Sequence, residues 1–276
     1  MISNEASIRV EDEERASDVS SVSVMSLQQL TILPGHDKSG RTECFESIVL
    51  DPGNLIALVG PTGAGKSRML ADVEWLARGD TPSGRRILVD GNLARGNSRY
   101  HVGAQLVAQL SQTMTFMVDL AVGPFLELHA QSRAIVDRYR AVTEVLDAAN
   151  QLAGEPFALD TALSGLSGGQ SRALMIADTA LISQSPIVLV DEIENAGIDR
   201  RRALELLLAN DKIVLMATHD PLLALQAERR LVIRNGGVQA VVERSNAELK
   251  LLLELEAMDA RIQSVRNRLR RGDLLT

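Results

Sequence analysis

The chain has 276 residues, of which 45% are hydrophobic and only 3% aromatic, with a net charge of -7. That length holds one large domain or two small ones, with a core built mostly from Leu, Val, Ile and Ala. The acidic balance argues against a bulk affinity for nucleic acid. The only cysteine, Cys44, rules out a disulfide framework and fits a reducing, cytoplasmic compartment. The N-terminus lacks the apolar stretch of a secretory signal, and no apolar run approaches the length of a membrane span.

Residues 1–24 are rich in Ser and acids and lack periodicity, which predicts a disordered tail. An ordered domain is expected over 25–243. Strands are predicted at 25–33 and 45–50, with a loop over 34–40 and a turn at Asp51-Pro52-Gly53-Asn54. Residues 55–59 are a short continuous apolar run, as in a parallel strand buried on both faces. A helix over 67–77 follows, then a strand over 85–89 that ends at the turn signal Asp90-Gly91. From about 113 to 165 strand signals fade, and an inserted α-helical subdomain is expected. Beyond it come a helix over 169–183, an apolar strand over 187–190, a helix over 199–209 and a strand over 213–217. Runs at 231–233 and 238–242, joined across Asn235-Gly236-Gly237, read as a closing hairpin. Strands alternating with helices give an α/β fold with a mostly parallel core sheet.

Residues 244–276 form a separate amphipathic helix. Leu251, Leu255, Met258, Ile262, Val265 and Leu269 repeat at spacings of four and three, a heptad seam. Ser245 and Glu248 fit a capping box, arginines gather where the helix dipole favours cations, and Gly272 is a stop signal. The seam must be covered, either by the chain's own body or by a second copy or partner.

The chemistry is carried by three motifs. Gly60-Pro61-Thr62-Gly63-Ala64-Gly65-Lys66-Ser67 fits G-x-x-x-x-G-K-[ST] between a predicted strand and a predicted helix. Its glycines let the backbone wrap phosphates, and a helix N-terminus offers them free N–H groups. Lys66 is placed to reach the β- and γ-phosphates of ATP and Ser67 to ligate Mg²⁺. The strand at 187–190 runs into Asp191-Glu192, so Asp191 can hold Mg²⁺ and Glu192 can polarise an attacking water. Between these two lies Leu166-Ser167-Gly168-Gly169-Gln170, a second anion site built from a Ser hydroxyl and Gly backbone at a helix start. Alone it reads as a simple helix cap.

Leu166 to Gln170 also matches, letter for letter, the LSGGQ signature of ATP-binding cassette (ABC) proteins, and the three motifs stand in that family's order. The sequence is identified as resembling an ABC ATPase over roughly residues 25–243. The resemblance implies a P-loop fold with an antiparallel β subdomain and a helical subdomain. It also implies hydrolysis of Mg-ATP at a composite interface. Two copies stack head to tail, and each ATP lies between Gly60 to Ser67 of one and Ser167, Gly168, Gly169 and Gln170 of the other. Thr218-His219-Asp220 resembles the switch-histidine segment, with His219 contacting the γ-phosphate. Gln112 resembles the Q-loop glutamine that senses Mg²⁺ and water, with Gln105 and Gln109 as competitors. Residues 194–199 resemble the D-loop, which crosses the dimer interface.

The sequence departs from that family in three places. No Tyr, Trp or Phe stands where the adenine-stacking aromatic is usual, and His36 is nearest. The D-loop is one residue longer than usual. Ile193 stands where many members have proline. A single cassette without membrane helices resembles the energising subunit of a transporter, partnered by a separate membrane subunit and peripheral to the inner face of a membrane. A soluble ATPase that remodels a client protein or enzyme is the alternative.

Overall fold

The computed structural model describes residues 27–94, 106–111, 116, 118–192 and 197–274. The chain begins with β1 (Leu30–Leu33), β2 (Ile48–Leu50), β3 (Leu55–Val59) and α1 (Lys66–Glu74). Next come β4 (Arg86–Val89), β5 (Asn92–Leu93) and β6 (Val107–Leu110), then α2 (Val122–Ser132) and α3 (Arg138–Leu152). The second half runs α4 (Gly168–Leu181), β7 (Ile187–Asp191), α5 (Arg200–Leu208), β8 (Ile213–Ala217) and α6 (Pro221–Gln226). It closes with β9 (Arg229–Arg234), β10 (Gly237–Glu243) and α7 (Asn246–Arg270).

Among the described residues these strands form two sheets. A four-stranded antiparallel sheet is ordered β2-β1-β4-β5, and a six-stranded sheet is ordered β10-β9-β3-β8-β7-β6. In the larger sheet only the β9–β10 hairpin is antiparallel. The apolar runs of β3, β7 and β8 are continuous because both faces are covered. Ile56, Leu58, Leu189 and Leu215 point into a core shared with α1 and the smaller sheet. Their neighbours Ala57, Val188, Val190, Val214 and Met216 point into a second core shared with α2 to α6. Strand alternation thus divides one hydrophobic stretch between two layers.

Register brings three loops to one edge. Leu58 of β3 is paired with Ala217 of β8, and Ala217 is also paired with Asp191 of β7. The residues after these three therefore leave the sheet side by side. They are the glycine-rich loop, Glu192 and the Thr218-His219 segment. A crevice at the carboxyl ends of parallel strands is where α/β folds bind ligands.

Several predicted boundaries move. The first two strands shrink to Leu30–Leu33 and Ile48–Leu50. The first helix starts at Lys66 and stops at Glu74, since Leu76 turns left-handed with φ +46 and Trp75 is 67% exposed. Strand β6 and helix α6 had no sequence expectation. At the start of α7 the capping box is present: Glu248 N donates to Ser245 Oγ, and Ser245 N donates to Glu248 Oε2. Covering of this helix by its own body falls on Leu252, which is buried and lies one residue off the predicted seam. Most of that seam is exposed. No helix among the described residues is long and apolar enough to cross a membrane.

Candidate active site

The glycine-rich loop is held from behind by the β9–β10 turn. Gly236 N donates to Ala64 O at 2.7 Å. Gly65 has φ +109, and a Cβ there would lie 2.7 Å from the Gly236 backbone, so only glycine permits this approach. No side chain caps the start of α1, which leaves its first N–H groups available to an anion. Lys66 is buried among the loop's own carbonyls, and its ammonium donates to Gly60 O at 3.0 Å and Pro61 O at 3.4 Å.

On the facing side, His219 Nε2 lies 3.2 Å from Lys66 Nζ and 3.2 Å from Glu192 Oε1. These three groups form a row across the ends of β3, β8 and β7. One ring nitrogen cannot serve both neighbours in the same way. With its proton, Nε2 donates to Glu192; without it, Nε2 accepts from Lys66. Glu192 has φ +51, a left-handed conformation that is costly for a non-glycine residue, and its N–H donates to Ala217 O. Nothing in the sequence signalled that conformation. It turns the carboxylate out of the strand direction toward His219. Ser67 Oγ donates to Asp191 Oδ2 at 3.5 Å.

Residues 167–170 stand apart. Ser167 caps α4, with Gln170 N donating to its Oγ and Ser167 N donating to Gln170 Oε1, the full capping box. Among the described residues no hydrogen bond or ion pair joins residues 167–170 to the glycine-rich loop of the same chain. Gln112 and residues 193–196 lie outside the described residues, as does Gln105. Gln109 belongs to β6, in register with Leu189.

Sequence reasoning missed Arg200. Its guanidinium pairs with Asp220, the residue after His219, and with Asp259 of α7 at 3.4 Å. Asp220 in turn caps α6. The segment carrying His219 is thereby tied to both α5 and α7. The local signal was Asp220-Pro221, a cap followed by proline at the first helical position. The Arg200 contacts span 20 and 59 residues, and no local pattern announces them.

A family model for ABC transporters matches residues 47–195, more than half of the chain. The protein belongs to the ABC ATPase family. It is 47% identical to an uncharacterised ABC transporter ATP-binding protein of Methanocaldococcus jannaschii. That match covers 91% of this chain and 96% of the relative. It is 30% identical to the lipoprotein-releasing system ATP-binding protein LolD of Psychrobacter arcticus, over 68% of this chain and 85% of that one. A solved dimer of an ATP-binding cassette in a post-hydrolysis state, bound to ADP and Pi, shares the fold. Its TM-score is 0.55 at 21% identity, over 79% of this chain and 99% of that one. As an ABC ATPase, the protein binds ATP and hydrolyses it to ADP and phosphate. The fold expected from the sequence, an α/β P-loop fold with a mostly parallel sheet, an antiparallel sheet and added helices, is the one observed.

Proposed function

We propose that this ABC ATPase is the energising subunit of a transporter, acting as a homodimer whose two ATP sites lie between copies. The observation that carries its ATP chemistry is the row Lys66, His219 and Glu192 beside the Ser67–Asp191 pair, at one edge of the sheet. The transporter role is supported by the likeness to ABC transporter ATP-binding proteins. Lys66 now spends its charge on two loop carbonyls, which a phosphate oxygen would replace with a stronger charge-assisted contact. As Lys66 turns to the phosphate, His219 is left to donate to Glu192 or to the γ-phosphate. Glu192 accepts the proton of the attacking water as the new bond to the γ-phosphorus forms and the bond to the ADP oxygen breaks.

The residues present fit Mg²⁺. Two oxygen ligands at neighbouring octahedral positions lie about 3 Å apart, close to the observed separation of Ser67 Oγ and Asp191 Oδ2, 3.5 Å. Ser67 and Asp191 would hold the ion, and Gln112 is assigned beside them by family resemblance. When bound, the ion neutralises charge on the β- and γ-phosphates.

Residues 167–170 are assigned to the partner copy's ATP by family resemblance, and among the described residues no hydrogen bond or ion pair ties them to the glycine-rich loop of their own chain. Replacing Ser167 with Arg is expected to leave ATP binding to the single chain within about threefold, since the hydrogen bonds lost are those to Gln170 and none goes to the loop. It should abolish ATP-driven dimerisation by placing bulk at the composite interface. Light scattering in a Glu192→Gln background measures this, and an undiminished ATP-dependent dimer would refute the arrangement.

Base selection rests on a small surface. His36 donates from Nδ1 to Ser83 O at 2.7 Å and packs against Gly84, where an added Cβ would lie 2.2 Å from the ring. The ring is fixed in place but narrower than a tyrosine. Affinity should come chiefly from the phosphates, so ATP and GTP should compete within about tenfold of one another. Competition binding tests this, and a hundredfold preference for ATP would identify another adenine reader.

The transporter assignment is tested by affinity purification of the Glu192→Gln protein with ATP. Retention of a polytopic membrane protein is the expected result. Retention of a soluble enzyme in its place would favour the remodelling alternative.

A further inference from the structure

Helix α7 carries two different faces. Leu252 (6% exposed), Glu256, Asp259, Gln263 and Arg266 lie toward the body of the protein. Glu256 and Asp259 pair with Arg201 and Arg200 of α5, and Glu248 pairs with Arg230 of β9. The heptad seam points elsewhere. Met258 is 62% exposed, Ile262 50%, Leu269 56% and Leu251 45%. A stripe of large apolar side chains over about three heptads, of which Leu255 is half-buried, is therefore left largely open to solvent, beside a face tied to α5 and β9 by ion pairs.

The charges on this helix are sorted along its length. Residues 246–259 carry Glu248, Glu254, Glu256 and Asp259 against one base, Lys250. Residues 260–274 carry Arg261, Arg266, Arg268, Arg270 and Arg271 against one acid, Asp273. A parallel pairing would set Glu254 beside the partner's Asp259 and Arg261 beside the partner's Arg266, like against like. Reversing one helix removes both clashes and sets Glu254 beside the partner's Arg268. The same reversal matches the seam. Leu251 meets the partner's Leu269, Leu255 the partner's Val265, and Met258 the partner's Ile262, all in one register. Two like-charge contacts are left beside the two-fold axis, Arg261 against the partner's Arg261 and Asp259 against the partner's Asp259. Asp259 is already paired with Arg200 of its own chain, and Arg261 lies at a solvated edge where charge is screened.

We infer that α7 is an antiparallel dimerisation helix whose occupant is α7 of a second copy. An isologous two-fold contact requires a surface complementary to its own reverse, and both the apolar pattern and the charge pattern of α7 have that property. The contact involves no residue of the nucleotide site. It holds two copies together without ATP and keeps their cassettes at high effective concentration between turnovers.

The test uses the full chain without nucleotide. Sedimentation equilibrium at about ten micromolar should report a dimer. Changing Met258 and Ile262 together to Glu should yield a folded monomer, because the added charges cannot be buried in the seam. In a Glu192→Gln background that variant should still dimerise with ATP, which separates this contact from the nucleotide interface. Orientation is read with Cys44 changed to Ser and a single cysteine placed at Leu251 or at Leu269. These positions are about 27 Å apart along the helix. A mixture of the two proteins should cross-link under mild oxidation, while either alone should not. Self-linking of each protein alone would mean a parallel pair and would overturn the proposal. A monomeric parent chain would do the same, whether the seam is then bare or held for another protein. A seam variant with a lower melting point than a monomeric parent would show that the chain's own residues cover the seam, which also overturns it.

Discussion

Glu192→Gln is expected to bind ATP within a few-fold of the parent and to lower turnover by about 10²- to 10⁴-fold, the range for loss of a general base. Glutamine has the same shape and can occupy the same left-handed backbone position at φ +51, so the change removes little but the proton acceptor. His219 lies 3.2 Å from the Glu192 carboxylate and 3.2 Å from Lys66. With the amide in place of the carboxylate, His219 loses its anionic neighbour, and the row no longer has a carboxylate to take the water's proton. The proposed phosphate contacts of the glycine-rich loop and α1 lie at a different strand end, which is why binding should survive. The measurement is kcat from steady-state phosphate release, set beside Kd from equilibrium binding. An equal loss in both would mean that Glu192 supports the site's structure, and an unchanged kcat would remove it from the chemistry.

What was legible in the sequence is what is local. The β3 and β8 boundaries were read correctly because each is an apolar run of five residues closed by turn or polar signals on both sides. The glycine-rich loop and Asp191-Glu192 were legible for the same reason, as contiguous motifs at the ends of such runs. Strand β6 escaped because it lies at the sheet edge and carries Gln109 in its middle, so its apolar run is broken. Helix α6 escaped because six residues are too few to show a period. Trp75 would be placed inside by composition, yet the left-handed turn at Leu76 ends the helix and leaves the ring outside. The seam of α7 was legible as a spacing. That the neighbouring Leu252 faces the body could come only from the structure. The left-handed Glu192 and the Arg200 links depend on distant segments and left no local trace.

Arg85→Met is expected to destabilise the fold by about 3–5 kcal/mol, the cost of stranding buried charge. Arg85 is fully buried. It pairs with Glu43 at 2.6 Å and with Asp72 of α1 at 2.7 Å, and donates to Gly236 O at 2.8 Å. Its partners lie 42, 13 and 151 residues away in the chain. Burial opposes the charge on Arg85, but the hydrogen bonds and charges of Glu43 and Asp72 outweigh it and hold the pKa above the ordinary arginine value. The same carboxylates accept from Gly35 N, Val238 N and Ser83 Oγ, so the cluster joins the antiparallel sheet, α1 and the β9–β10 turn. Removing the guanidinium would leave two carboxylates facing each other out of water. It would also free the Gly236 carbonyl, and Gly236 is the residue that backs Ala64 and Gly65 of the phosphate loop. Two readouts should therefore move together: a lower urea midpoint, and weaker ATP binding in the protein that is still folded. Adding Glu43→Gln and Asp72→Asn to Arg85→Met should recover much of the stability, because the uncompensated charge is gone, but not the ATP affinity, because Gly236 still lacks its donor. A loss below about 1 kcal/mol for Arg85→Met alone would mean that water enters the cluster and that the ion pairs do not hold the sheets together.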